Sequence, residues 1–365
     1  MGKEITKQFY GAPHKKSYYL GCSTGGRQGF KSAQDFPEDF DGIVAGAPAV
    51  AFNNLTSWSG HFINVTGTPD SETFVPLNMW PVVHQDIMKQ CDLLDGYADG
   101  IIEDASICKY NASTLLCPAG STNSSSCLTP LQVQTVQKVY EPLTLADGSL
   151  VFPRMQPGSE DVAAFVVYNG VPFPYNVDWF RYAIYNDPNW DPYTINDTDY
   201  VNAAIKNPSD IQTFKGDLSA VKARGAKILH YHGQMDGIIT SSNSPRYYEH
   251  VSKTMGLSPA ELDEFYRFFR ISGTGHCTGG DGASVIGQAL TSVASTDPSE
   301  NVLMAVVDWV ENGNAPETVV GTKWVNNTQS AGVQYKRAHC KYPKRNMYKG
   351  KGDPNAIESW ECIED

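Results

Sequence analysis

The chain is short of positive charge: 28 Lys and Arg stand against 40 Asp and Glu, a net charge of −12 at pH 7. Nucleic acids and anionic membrane surfaces recruit basic patches, so neither is an expected partner. No apolar run approaches the ~18 residues needed to span a bilayer. None of the cysteines forms C-x-x-C, which argues against a zinc site. Met1-Gly2-Lys3-Glu4-Ile5-Thr6 lacks the apolar core of a signal peptide. The same residues complete a myristoylation start, a reading that the cysteine content opposes.

The chain has 365 residues, enough for one large or two ordinary domains, and its 41% hydrophobic and 19% charged residues are a globular composition. Its cysteines are Cys22, Cys91, Cys108, Cys117, Cys127, Cys277, Cys340 and Cys362. An even count with close spacings suggests disulfides, though eight cysteines allow 105 connectivities. Six N-x-[ST] sequons begin at Asn54, Asn64, Asn111, Asn123, Asn196 and Asn326. Together they point to a secreted, glycosylated eukaryotic protein. A secreted protein without a leader reads as a fragment.

Strand and helix signals alternate at both ends. Residues 3–10 read as a helix closed by Gly11, 17–21 as a strand, 25–35 as a helix, and 40–45 as a buried strand. Residues 226–231 form another strand, ending at His232-Gly233; Phe265 to Ile271 is a further one. The helix from Asn301 to Glu311 stops at Asn312-Gly313, where glycine can take the left-handed cap. Between about 50 and 226 the composition turns polar and aromatic, with four cysteines and five sequons. The expected architecture is an α/β core from residues 1–50 and 227–365, carrying an inserted lid over 51–226.

Gly21-Cys22-Ser23-Thr24-Gly25 lies between a strand and a helix, the required context of the nucleophile elbow G-x-S-x-G. Glycines are needed there because side chains in so tight a turn collide with strand and helix. An elbow serine needs an acid and a base later in the chain, in that order. Asp236 in Gly233-Gln234-Met235-Asp236-Gly237 follows one strand, and His276 in Gly273-Thr274-Gly275-His276-Cys277 follows the next. His230 and His232 flank the acid's strand end and could line the site, but chain order favours His276. His14, His61, His84, His250 and His339 fit the pattern less well. Cys22 precedes the serine as Cys277 follows the histidine. A bond between them would staple nucleophile and base, whose misplacement by about 1 Å costs around 100-fold in rate.

With Gly21-Cys22-Ser23-Thr24-Gly25-Gly26-Arg27-Gln28-Gly29 and Phe36 to Ala49 (Phe-Pro-Glu-Asp-Phe-Asp-Gly-Ile-Val-Ala-Gly-Ala-Pro-Ala), the chain resembles the tannase/feruloyl esterase family from about residue 5 to its end. The family hallmark, a Cys-Ser, Asp, His-Cys set, matches Cys22-Ser23, Asp236 and His276-Cys277. The resemblance implies an α/β-hydrolase fold and secreted serine esterase activity on hydroxycinnamate or gallate esters, free or polysaccharide-linked, with no organic cofactor. It also implies the bond Cys22–Cys277, with Cys91–Cys108, Cys117–Cys127 and Cys340–Cys362 as local pairs. Aromatics of the lid such as Phe52, Trp58, Phe74 and Trp80 would enclose the acyl group. A homodimer is left open.

Residues 91–104, Cys-Asp-Leu-Leu-Asp-Gly-Tyr-Ala-Asp-Gly-Ile-Ile-Glu-Asp, set carboxylates among glycine turns, as a calcium loop does, without EF-hand spacing. The resemblance assigns calcium to the side chains of Asp92, Asp95 and Asp99 and the carbonyls of Tyr97 and Ile101. In one respect the chain departs from the family. Only 22 residues precede Ser23, where α/β-hydrolases place several strands and one oxyanion-hole donor. The Thr24 N–H can supply one donor; the second has no candidate. The expectation is a sheet lacking its N-terminal strands. Rival readings are a tannase, a truncated non-catalytic fragment or pseudoenzyme, and a calcium-dependent lectin that would leave Ser23, Asp236 and His276 unexplained.

Overall fold

The computed structural model describes residues 1–120, 125–289 and 292–364. Asn123, one of the sequon residues, lies outside them. After a short helix, α1 (Gly2–Tyr10), ended by Gly11 at φ 68°, the chain enters strand β1 (Tyr18–Cys22) and helix α2 (Thr24–Asp35). Strand β2 (Gly42–Gly46) follows, and after the insertion come β3 (Lys227–Gly233), α4 (Asn243–Met255) and β4 (Tyr266–Ile271). Helix α3 (Phe52–Thr66) opens the insertion, and α5 (Val302–Asn312) follows β4.

The four strands form one parallel sheet in the order β1-β2-β3-β4. Its inner strands are buried almost throughout because both faces are covered. Period-2 alternation divides them. Ile43, Ala45 and Ile228 face Phe30 and Ala33 of α2 and Tyr247, Tyr248 and Val251 of α4. Val44, Leu229 and Phe269 face Val302, Ala305 and Val306 of α5. In-register pairing, with Ile43 beside Ile228 and Val44 beside Leu229, keeps each set on its own side. Among the described residues β1 pairs with β2 alone, so it forms one edge.

Among the described residues the chain between β2 and β3 adds no strand to this sheet. It builds its own core around Trp58, Phe62, Trp80, Tyr168 and Phe180. The last helix before β3, Ser219–Arg224, packs instead on the sheet side, through Val221. Beyond α5, an antiparallel hairpin of β5 (Thr318–Trp324) and β6 (Val333–Cys340) is followed by paired β7 (Arg345–Tyr348) and β8 (Trp360–Ile363). Cys340–Cys362 ties β6 to β8.

Candidate active site

The end of β1 runs into α2 through Ser23, whose φ of 65° and ψ of −123° are unfavourable for any residue with a side chain. The turn is fixed from both sides. Ser23 N–H donates to Gly46 O at 3.0 Å, and Ser23 O accepts from the N–H groups of Arg27 and Ala49. A Cβ on Gly21 would come within 2.8 Å of the Gly25 backbone, and one on Gly26 within 2.3 Å of Gly46 O. Gly25 itself has room, its nearest neighbour being Tyr19 Oη at 3.6 Å. The steric demand expected of the pentapeptide's second glycine therefore falls one residue later, where α2 crosses β2.

Asp236 follows β3 and is fully buried. Its Oδ1 accepts from the N–H groups of Ile238 and Ile239, each at 2.9 Å. Its Oδ2 accepts from His276 Nδ1 at 2.7 Å and from His232 Nε2 at 3.1 Å. Burial alone would raise its pKa, but the two histidines beside it outweigh that and hold the carboxyl well below the usual range. For His276, burial favours the neutral ring, yet the Asp236 charge and hydrogen bond prevail and push its pKa upward. From the insertion, buried Gln156 donates to Asp236 O at 2.7 Å and accepts from Thr240 and Ser241.

The loops of Ser23 and His276 are joined by the disulfide Cys22–Cys277, with Cα atoms 5.9 Å apart across 255 residues of sequence. Cys277 shares the unfavourable φ of 65° seen at Ser23. Ser23, Thr24 and His276 open onto one cavity of about 800 Å³. Its walls come from α3 (Phe52, Leu55), from the segment 173–183 (Phe173, Trp179, Tyr182) and from Ile238 and Ile239.

Two expectations fail here. Trp58 and Trp80 are fully buried in the core of the insertion and, with Phe74, do not line the cavity; of the four aromatics only Phe52 does. Large aromatics are the main filling of a core as well as of a binding pocket, and sequence does not separate the two uses. His230 and His232 do not face the cavity either, because both are buried behind Asp236. The remaining histidines lie elsewhere. His61 is buried in α3, His84 reaches Glu160, His250 stacks on Phe214, and His339 bonds Ala283 O.

The other pairs form as expected: Cys91–Cys108, Cys117–Cys127 and Cys340–Cys362. In the acidic loop, Asp92 accepts from Gly100 N–H, Asp95 from the N–H groups of Tyr97 and Glu103, and Asp99 from Ile101 N–H. Arg337 of β6 pairs with Asp99 at 3.1 Å and with Glu103 at 2.8 Å. Asp95 is buried without a cationic side chain; burial and neighbouring Glu103 push its pKa up to about 8. Among the described residues no three His, Cys, Asp or Glu side chains converge into a metal-holding group. The oxygen donors and the unbalanced charge suit a hard cation such as calcium, which would draw on carbonyls as much as on carboxylates. Of the sequon residues, Asn64, Asn111, Asn196 and Asn326 are exposed and Asn54 is half-buried. No helix among the described residues is long and apolar enough to cross a membrane.

The chain matches the family model described as tannase and feruloyl esterase over residues 1–363. It is 53% identical to the probable feruloyl esterase B-2 of Aspergillus terreus, covering 100% of this chain and 68% of that protein. It is 52% identical to the probable feruloyl esterase B of Aspergillus clavatus, covering 69% of that protein. The crystal structure of feruloyl esterase B from Aspergillus oryzae superposes with a TM-score of 0.96 at 52% identity, over 99% of this chain and 72% of that one. The tannin acyl hydrolase from Aspergillus niger, at 21% identity and a TM-score of 0.77, shares the fold. A strained elbow serine, a histidine held by a buried aspartate, and a disulfide joining their loops are thus set on an α/β-hydrolase sheet, and the chain belongs to the tannase and feruloyl esterase family of carboxylic ester hydrolases.

Proposed function

We propose that this chain hydrolyses feruloyl and related hydroxycinnamoyl esters through an acyl-enzyme on Ser23. The observation that carries this reading is the cavity: largely apolar, walled by Phe52, Phe173 and Trp179, and opening on Ser23 and His276. A planar aromatic acyl group suits such walls, and the ester carbonyl at its end reaches the serine. His276 takes the Ser23 proton as Oγ attacks the carbonyl carbon, while Asp236 keeps the imidazole Nδ1–H directed inward. The Thr24 N–H, at the start of α2, donates to the developing oxyanion in this reading, where the helix dipole favours negative charge. His276 returns the proton to the leaving alcohol. Water activated by the same ring then releases the acid and restores Ser23.

Names of relatives at 52–53% identity support feruloyl over galloyl esters. Calcium at Asp92, Asp95, Tyr97, Asp99 and Ile101 belongs to the same reading as a structural ion. Secretion and glycosylation at the exposed sequons belong to it too, since four disulfides need an oxidising compartment. The test is hydrolysis of methyl ferulate and methyl gallate by the purified protein, with Ser23→Ala as control. Ser23-dependent turnover with preference for ferulate is expected. No turnover of either ester, or turnover that survives Ser23→Ala, overturns the proposal.

A further inference from the structure

Asp236 has a second histidine behind it, and that histidine heads a buried chain of hydrogen bonds. His232 and His230, two apart on β3, point to the same face of the sheet. His232 Nε2 lies 3.1 Å from Asp236 Oδ2 and 3.1 Å from Ile239 O. Its Nδ1 is 2.6 Å from Ser244 Oγ in the first turn of α4. Ser244 Oγ is in turn 2.8 Å from His230 Nε2, and His230 Nδ1 is 2.9 Å from Tyr266 Oη on β4. His230, His232, Asp236 and Tyr266 have no exposure and Ser244 has 1%.

Chemistry fixes the direction of every bond. A carboxylate and a carbonyl only accept, so His232 Nε2 carries a proton, and in a neutral ring its Nδ1 is a lone pair. The Ser244 hydroxyl must then donate to that lone pair, which leaves its oxygen to accept from His230 Nε2–H. His230 Nδ1 accepts from the Tyr266 hydroxyl. Four donors in series point at the carboxylate, and the last of them, His232 Nε2–H, is shared between Asp236 Oδ2 and Ile239 O. The opposite polarity requires a cationic His232 and leaves the buried Tyr266 hydroxyl without an acceptor, an arrangement that burial disfavours.

We propose that His232 is a positioning residue for ester hydrolysis, holding Asp236 Oδ2 from behind, and that Tyr266, His230 and Ser244 lock it in the neutral Nε2–H form that can do so. The proposal rests on the assignment of Ser23, Asp236 and His276 above. With two donors on each oxygen, the carboxylate cannot rotate away from His276. The His232 N–H also draws charge from the oxygen that His276 uses, and so moderates how basic His276 becomes. The titratable groups that face His232 are Asp236 on the following loop, His230 on β3, Tyr266 on β4 and His276 on the loop after β4. From α4 comes Ser244, with the phenols of Tyr247 and Tyr248 farther along the helix.

The test compares His232→Leu, His232→Gln and Ser244→Ala on methyl ferulate, with folding checked by circular dichroism. His232→Leu is expected to lose about 10- to 100-fold in kcat with KM changed less than about twofold. The acid limb of its kcat/KM profile should move to higher pH, because the carboxylate now acts on His276 alone. His232→Gln, whose amide can donate in place of Nε2–H, should recover most of kcat, and Ser244→Ala should show a smaller shift of the limb. A folded His232→Leu with wild-type kcat and limb, or no recovery in His232→Gln, overturns the proposal. Should His232→Leu not fold, an unshifted limb in Ser244→Ala overturns it. Nitrogen-15 imidazole spectra of the wild type give a readout independent of turnover. Nε2–H tautomers are expected for both rings, and an Nδ1–H tautomer at position 232 refutes the relay even if the esterase reading fails.

Discussion

Asp236 and Asp95 are both buried carboxylates, and the protein treats them in opposite ways. Asp236 receives four N–H donors, two of them from histidine rings, and stays charged although burial opposes it. Asp95 receives two main-chain N–H groups, has Glu103 and Asp99 beside it instead of a cation, and is driven toward protonation. Burial sets the size of the cost, and the partners decide which protonation state survives it. One carboxylate is complete within the fold. The other has no cationic side chain beside it.

The most damaging way to break the contrast is to remove the charge that the fold protects. Asp236→Asn keeps the shape but cannot direct the His276 proton correctly, and kcat on methyl ferulate should fall about 10,000-fold. A loss under tenfold in a folded variant would remove Asp236 from the mechanism. Next in size is the disulfide. Replacing Cys22 and Cys277 together by alanine frees two loops whose apposition the fold otherwise fixes at a Cα separation of 5.9 Å. We expect roughly 100-fold lower kcat/KM. The 255-residue separation sets an upper bound of roughly 5 kcal/mol on lost stability, reduced by the other crosslinks. Replacing Cys91 and Cys108, which span 17 residues at the acidic loop, should lower the melting temperature with a much smaller effect on rate.

The pH profile sharpens the same comparison. In the proposed mechanism Ser23 needs a neutral His276, and Asp236 raises the pKa of that ring against the effect of burial. Activity should therefore fall as pH drops through the raised value, with half-maximal kcat/KM above about 6.5. In Asp236→Asn the opposing charge is gone and burial prevails, so the acid limb of the residual activity should move to lower pH. A limb that stays in place would mean that another group titrates.

The core strands and the elbow were legible because each is a local pattern. The Ile, Val, Leu, Tyr and Phe residues within 42–46, 227–233 and 266–271 mark strands buried on both faces, and Ser23, Asp236 and His276 each follow a strand end. Legibility ended where a residue's role depends on what lies across from it. His230 and His232 were recognisable as neighbours of the acid, but only Ser244, arriving from α4, gives them a shared partner. Trp58 and Trp80 look no different in sequence from Trp179; the first two fill the insertion's core and the third lines the cavity. Gln156 carried no signal at all. It belongs to the insertion and reaches the Asp236 backbone across 80 residues of sequence.

The smallest expected effect tests the other half of the comparison. If the acidic loop takes up calcium, the ion should stabilise the folded chain, because an unfolded loop has no reason to gather these oxygens. Adding calcium to chelator-treated protein should raise the melting temperature by roughly 3–5 °C at saturation. Asp95→Asn separates the two causes at issue. It removes a buried charge crowded by Glu103, so the metal-free variant should melt at or above the metal-free wild type. It also removes a hard oxygen ligand, so its response to calcium should shrink or vanish. A variant that keeps the full calcium shift would place the ion elsewhere. One that loses stability without metal would show that Asp95 is held by its two N–H donors alone, making it a second complete carboxylate and ending the contrast with Asp236.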